Sequence, residues 1–388
     1  MKLRILTVLL VVVVCMVSVK YATLSSADDP GTPVAGSLQQ ASDMVPVGSS
    51  EGKDGFISDL DMPAMMSALA PKGLLNGIAT AGDRVVAVGQ RGHIIYSDDG
   101  GKSWIQDKVP VSVDLTAVYF PTPQNGWAVG QDGLVLHSSD NGVTWVKQLD
   151  GTQVCAIMKK YYDEHPSSNG TDAQAAEKLK GDVQFIVEQG PVFPFLDVWF
   201  ENDHSGFIVG AFNLIFHTSD GGKSWEPWFD RTDNPDGFHL YSIRPAGNDL
   251  FISGEQGLVL KLDRKAGRFQ RLDTGYNGTF FGILGKPGSV VAFGLRGNIF
   301  RSADAGAKWQ KVVSGENDGI LGGTVTRDGR FVLVTQSGKV LLSNDGGATF
   351  TQVKRESGLG IPACSVTAFE NNSLVIASWM GTEVHKIQ

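Results

Sequence analysis

GWAVGQDGLVLHS, residues 126–138, decides the fold: an apolar run closes on Gly130, a turn follows at Gln131-Asp132-Gly133, and a second apolar run ends on Ser138. This reads as strand, tight hairpin turn, strand. The phrase returns as VVAVGQRGHIIYS (85–97), GFIVGAFNLIFHT (206–218), LFISGEQGLVLKL (250–262), VVAFGLRGNIFRS (290–302), FVLVTQSGKVLLS (331–343) and LVIASWMGTEVHK (374–386). The aligned positions Gly89, Gly130, Gly210, Gly254, Gly294, Thr335 and Ser378 recur every 40 to 44 residues, apart from one interval of 80. Seven units of this period, each with room for four short strands, predict an all-β, seven-bladed β-propeller. Each small sheet in such a fold buries its faces only against its neighbours.

Five units continue into an Asp-box: SDDGGKSW (97–104), SSDNGVTW (138–145), TSDGGKSW (218–225), SADAGAKW (302–309) and SNDGGATF (343–350). The box suits the hairpin between a blade's third and fourth strands, where the carboxylate accepts backbone N–H bonds, Gly supplies positive φ and the aromatic packs between blades. Asp99, Asp140, Asp220, Asp304 and Asp345, with Trp104, Trp145, Trp225, Trp309 and Phe350, are therefore read as structural. One carboxylate per blade cannot converge on one reacting atom. Unit four carries LDRKAGRF (262–269) in place of the box and needs a differently shaped hairpin.

Two features depart from the repeat. The doubled interval holds a helical insertion at 154–189, between blades two and three, with helix-like stretches at 154–162 and 172–189 and a capping-box pattern of Thr171 with Gln174. Gly181 is a candidate break in the second stretch, and an Asn/Ser/Pro/Gly linker at 165–170 would let the two parts move. The last unit ends with three strands written out, so residues 61–70 are expected to supply the fourth strand and close blade seven.

Ahead of the propeller, assigned to 56–388, residues 1–27 read as an export signal. Lys2 and Arg4 precede an apolar run at 5–19, too short for an ordinary spanning helix, and Ser25-Ser26-Ala27 offers small residues for cleavage. The segment is either removed after Ala27 or kept as a membrane anchor, and the protein is expected to be periplasmic or otherwise extracytoplasmic. Residues 28–55 are Ser/Gly/Pro/Asp-rich and read as a flexible linker. The formal charge of −8 gives no electrostatic basis for binding nucleic acid. Three cysteines exclude both a disulfide-dense scaffold and a four-cysteine zinc site. Cys155 and Cys364 could pair in an oxidising compartment or stand as buried thiols.

In a blade whose strands run up and down, the turn after the second strand and the link to the next blade share one face. The insertion should thus project beside these turns. Arg91, Phe212, Leu295, Arg296, Trp379 and Met380 lie at the turn tips, and aromatics, Met and Arg are what protein interfaces favour. Phe212 and Trp379 could equally fold down onto a neighbouring blade. The rival class is a glycan- or small-molecule-binding propeller, a sialidase-like glycoside hydrolase in its catalytic form. Its site would lie at the channel mouth near Asp114, Asp197, His239, Tyr241, Phe280 and Phe281. A sialidase needs three convergent Arg and a Tyr nucleophile with a Glu partner. The sequence shows neither that set, nor metal-ligand spacing among its seven His, nor a phosphate loop, so no catalytic residue, metal or cofactor is expected.

The repeated G-x-x-G-x-I/V-x-x-S phrase and the SxDGGKSW-like boxes resemble the photosystem II assembly/stability factor family of seven-bladed propellers, over residues 61–388 apart from the insertion. Phototrophic members hold membrane-protein intermediates through an Arg-rich patch. Here only Arg91 and Arg296 recur at matching turns, Asp132, Phe212, Gln256, Ser337 and Met380 standing elsewhere. Related non-photosynthetic proteins tend to accompany transporters of the resistance-nodulation-division superfamily. The resemblance implies a non-catalytic assembly or accessory subunit whose partner is a membrane protein complex, an inner-membrane transporter of that superfamily.

Overall fold

In the computed structural model, which describes residues 58–165, 173–354, 360–370 and 372–387, the repeat builds seven antiparallel sheets. Blade two shows the plan, with strands Leu115–Tyr119, Gly126–Gly130, Val135–Ser138 and Val146–Leu149 paired in chain order. Its second strand is buried along its whole length, because sheets cover both of its faces. The outermost strand leaves Val146 and Lys147 in water. The innermost strands neighbour one another in sequence order around the ring, and Leu75–Ala81 of blade one returns to Ala363–Phe369 of blade seven.

The recurrent Gly has a steric cause. Each innermost strand carries a bulge near its start, as between Leu115 and Ala117. The bulge presses a backbone carbonyl against the end of the second strand. A Cβ on Gly130 would stand 2.3 Å from the Asp114 carbonyl oxygen. After Gly130 the chain turns through Asp132 and Gly133 at φ 55° and 63°, the type I′ hairpin that suits twisted strands. Arg91, Phe212, Gln256 and Arg296 hold the same left-handed conformation at their own tips.

The Asp-boxes fold as hairpin staples. In blade one, Asp99 Oδ1 accepts from the backbone N–H groups of Lys102 and Ser103 at 3.0 and 2.9 Å and from Ser97 Oγ at 2.8 Å. Its Oδ2 accepts from Ser103 Oγ at 2.6 Å, and Trp104 Nε1 donates to the Gly101 carbonyl at 3.1 Å. Asp140, Asp220, Asp304 and Asp345 repeat the bond from the residue-four-on backbone N–H. These donors hold all five carboxyls below the ordinary range, Asp345 at about 2. A depressed folded pKa contributes stability above the unfolded value and loses it as pH falls through the folded one. We expect urea midpoints to fall steadily from pH 5 toward pH 2, and Asp345→Asn to flatten part of that slope. An unaltered slope in the variant would remove the boxes from the acid response.

Ring closure differs from the expectation. The seventh sheet has three strands among the described residues, Ala363–Phe369, Ser373–Ser378 and Gly381–Lys386, and residues 61–70 do not pair with it. They lie along blade one. Ala64 N donates to the Val109 carbonyl at 3.0 Å, Ser112 N to the Asp59 carbonyl at 2.8 Å, and Ser67 N to Gln106 Oε1 at 2.7 Å. Pro63 and Pro71 lack the N–H groups that a ladder strand requires. The seam closes by packing instead, with Ala70, Leu75 and Val85 of the first unit against Val375 and Ala377 of the last. The Asp-box of blade one completes it, since a Cβ on Gly100 would stand 2.7 Å from the Phe369 ring.

The insertion also begins earlier than 154. Helix α1, Gly151–Glu164, starts on a capping box in which Asp150 accepts from Gln153 N and Gln153 Oε1 accepts from Asp150 N. Helix α2, Ala173–Gln189, continues through Gly181, which faces open space and weakens the helix by only ~1 kcal/mol. The Thr171 cap and residues 166–170 of the linker lie outside the described residues, as do the signal and tether at 1–55.

Candidate docking face

The tip turns and the insertion occupy one face of the propeller. A Cβ on Gly133, at the tip of blade two, would stand 2.7 Å from Gly151 Cα at the start of α1. Val154 and Met158 of α1 and Val183 and Ile186 of α2 enter the core between blades two and three, beside Trp127, Phe195 and Phe216. Far from swinging on a linker, the helices are part of the blade packing.

Polar contacts fix α1 to the rim of blade three. Tyr162 Oη lies 2.8 Å from Asp230 Oδ1, and Arg231 Nη2 donates to Tyr161 Oη at 2.8 Å and to Glu226 Oε1 at 2.7 Å. Burial and the Asp230 carboxylate push the Tyr162 phenol well up, so it stays a neutral donor. Sequence reading missed both tyrosines and the Asp150–Gln153 cap. The cap was visible as Asp-x-x-Gln at 150–153, whereas the tyrosine partners lie more than 60 residues away in sequence.

Of the six tip residues singled out from sequence, Arg91, Leu295, Arg296 and Met380 are exposed, and Phe212 and Trp379 are half-buried. Phe212 folds down. Its ring lies 6.1 Å from that of Phe185, 5.3 Å from that of Phe193 and 4.6 Å from that of His239, so it packs against the insertion and the neighbouring blade.

At the channel mouth the polar groups are committed to the fold. Asp197 Oδ2 accepts from Arg244 Nη1 at 2.7 Å and from Ile243 N at 2.8 Å, and the guanidinium lies over the Tyr119 ring. Asp114 Oδ1 accepts from Arg91 N at 2.6 Å. His239 Nδ1 stands 3.2 Å from Glu255 Oε2, yet burial holds the imidazole below its ordinary pKa. Tyr241 and Phe281 meet edge-to-face, and Phe280 is fully buried in its blade. His137 and His217 pack on Trp127 and Phe207, with ring centroids 4.6 Å apart in each pair. No group of three or more His, Cys, Asp or Glu is placed to hold a metal ion among the described residues. Cys155 on α1 and Cys364 in blade seven form no disulfide. No helix of the described residues is long and apolar enough to cross a membrane.

Comparison with known proteins agrees with this architecture. A family model described as the photosynthesis system II assembly factor YCF48 matches residues 61–139, 79–156 and 181–380. The photosystem II assembly lipoprotein Ycf48 of Synechococcus sp. (strain CC9902) is 30% identical over 165 residues, 41% of this chain and 48% of the relative. The photosystem II assembly protein Ycf48 of Synechococcus sp. (strain JA-3-3Ab) is 37% identical over 70 residues, 18% of this chain and 20% of the relative. The matched region thus spans about half the first relative's length or less. A solved structure of YCF48 bound to a D1 peptide superposes with a TM-score of 0.59 at 15% identity, covering 84% of this chain and 99% of that one. YCF48 from Cyanidioschyzon merolae gives 0.57 at 15%, covering 81% and 96%. At such identities the superpositions speak for the fold. The family match, spread over every blade, places the chain in the PSII BNR family, that of the photosynthesis system II assembly factor YCF48.

Proposed function

We propose that this chain is an exported, non-catalytic propeller that grips a membrane protein complex through its tip face and insertion and assists that complex's assembly or transport. The observation that carries the reading is the seating of the two helices in the packing of blades two and three, on the face that also presents exposed Arg91, Leu295, Arg296 and Met380. A pre-formed platform loses little entropy on binding, and exposed Arg, Leu and Met at its rim supply anchors. The relatives' names, assembly proteins and an assembly lipoprotein, and the D1 peptide named with one solved structure support a membrane-protein partner in an extracytoplasmic setting. The partner we infer is an inner-membrane transporter of the resistance-nodulation-division superfamily, a reading that rests on the family resemblance of the non-photosynthetic branch.

The test is affinity capture from detergent-solubilised membranes, with the captured proteins identified by mass spectrometry. Arg91→Glu with Arg296→Glu leaves the fold intact, since both side chains are exposed at turns, and is expected to cut recovery of the membrane complex at least ~10-fold. Equal recovery by wild type and variant would overturn docking through this face. A recovered complex containing no such transporter would overturn the partner's identity alone.

A further inference from the structure

Residues 62–69 place large apolar side chains in water within a segment otherwise pinned to the propeller. Met65, Met66 and Leu69 are each more than half exposed, as is Met380 nearby. The surrounding contacts draw these four together. Gln106 clasps the segment, accepting from Ser67 N at 2.7 Å and donating to the Met65 carbonyl at 3.0 Å, which fixes the methionines over the outer strand of blade one. The chain then reaches Pro71 and Lys72, and a Cβ on Gly381 would stand 2.2 Å from the Pro71 carbonyl oxygen, so Met380 adjoins the same band. Fold stability does not explain this exposure, because Ala64 and Ala70 already supply the buried contacts of the segment. Met is favoured where a surface must adapt to a deformable partner, and exposed apolar patches of this kind mark interaction sites.

Three basic side chains border the patch, with exposed Asp59 and Asp61 at its N-terminal end and Asp114 at Arg91. Lys72 follows Pro71, and Lys108 lies between Gln106 and Val109, the two residues that hold Met65 and Ala64. Arg91 stands at a tip whose next residue, Gly92, would bring a Cβ within 3.3 Å of Ala64 Cβ. All three are exposed, and none forms an ion pair among the described residues, whereas Lys147 nearby is engaged by Asp61 and Asp150. Unpaired cations around apolar side chains, on a chain whose formal charge is −8, match an anionic headgroup layer over an apolar interior. The same chain carries the apolar run 5–19 flanked by Lys2 and Arg4 upstream of this patch.

We propose that the Met65–Leu69 band, with Met380 and the basic side chains of Lys72, Arg91 and Lys108, rests on the surface of an anionic lipid bilayer. The apolar tips enter the headgroup boundary and the cations sit among lipid phosphates. The contact is with lipid, and it holds whether or not the same face also grips a protein.

Residue-level oxidation footprinting tests it on the full chain. The protein is exposed briefly to peroxide alone, with phosphatidylglycerol/phosphatidylethanolamine vesicles, and with phosphatidylcholine vesicles, and sulfoxide is counted at each methionine by mass spectrometry. Met158, fully buried, reports that the fold is intact. On the anionic vesicles, oxidation of Met65, Met66 and Met380 is expected to slow at least ~3-fold, with little change on phosphatidylcholine. In a Lys72→Glu, Lys108→Glu variant the protection should disappear. Because the readout is local, vesicle attachment through residues 5–19 alone would leave these methionines reactive. Equal oxidation with and without anionic vesicles overturns the proposal, as does protection that arises only when a solubilised membrane protein complex is added.

Discussion

Trp127→Ala is expected to lower unfolding stability by ~3–5 kcal/mol, the cost of emptying a fully buried indole site. The ring stacks on Phe200 of blade three at a centroid distance of 3.6 Å and on His137 of its own blade at 4.6 Å. Its Nε1 donates to Gln148 Oε1 at 3.0 Å, and Gln148 Nε2 donates to the Gly221 carbonyl in the Asp-box of blade three at 3.0 Å. One side chain therefore supports the blade interface, the polar bridge across it and the core that receives α1 and α2. Domains of ordinary stability hold ~5–15 kcal/mol in total, so the variant would lie near the threshold of folding. Urea denaturation with an unchanged slope would give the number, and Trp127→Phe should recover part of the loss. A shift below ~1 kcal/mol would mean that the interface repacks around the hole, contrary to the close stacking described.

The repeat was legible because one steric demand recurs. A bulged inner strand brings a carbonyl to within 2.1–2.4 Å of where a Cβ would stand on Gly89, Gly130, Gly210, Gly254 and Gly294, and the tip turns and Asp-boxes follow at fixed offsets. Blades six and seven, with Thr335 and Ser378 at that position, were still readable from the flanking apolar runs. What escaped reading depends on contacts between distant segments. The offset of residues 61–70 suggested a strand of blade seven, but the donors that hold them are Ala64 and Ser67, and their acceptors lie on Val109 and Gln106 of blade one. Phe212 read equally well as an exposed anchor or a packed ring. The choice was made by Phe185 and Phe193, on a helix and a loop that no repeat arithmetic could position. The candidate face was thus predictable in outline from topology, whereas the rigidity of its helices was not.

Paired turn variants separate that rigidity from backbone strain. Phe212 and Gln256 occupy equivalent tip positions at φ 53° and 51°, a conformation that costs an L-residue ~1–2 kcal/mol and glycine almost nothing. Gln256→Gly relieves this strain and is expected to leave the helices as protected as in wild type while raising stability by up to ~1 kcal/mol. Phe212→Gly relieves the same strain but removes ring contacts with Phe185, Phe193 and His239, each worth ~0.5–1.5 kcal/mol beyond the area buried. The balance is a local loss of ~1–3 kcal/mol at the seat of α2, equivalent to ~5- to 150-fold faster amide exchange in Ala173–Gln189. Exchange in the buried second strands, such as Gly126–Gly130, should change little, because Val183 and Ile186 still fill the core beneath. Hydrogen exchange followed by mass spectrometry on both variants gives the comparison directly. Similar exchange of α2 in the two would show that the ring does not hold the helix, and the platform would then have to derive its rigidity from Tyr161, Tyr162 and the Val183–Ile186 packing alone.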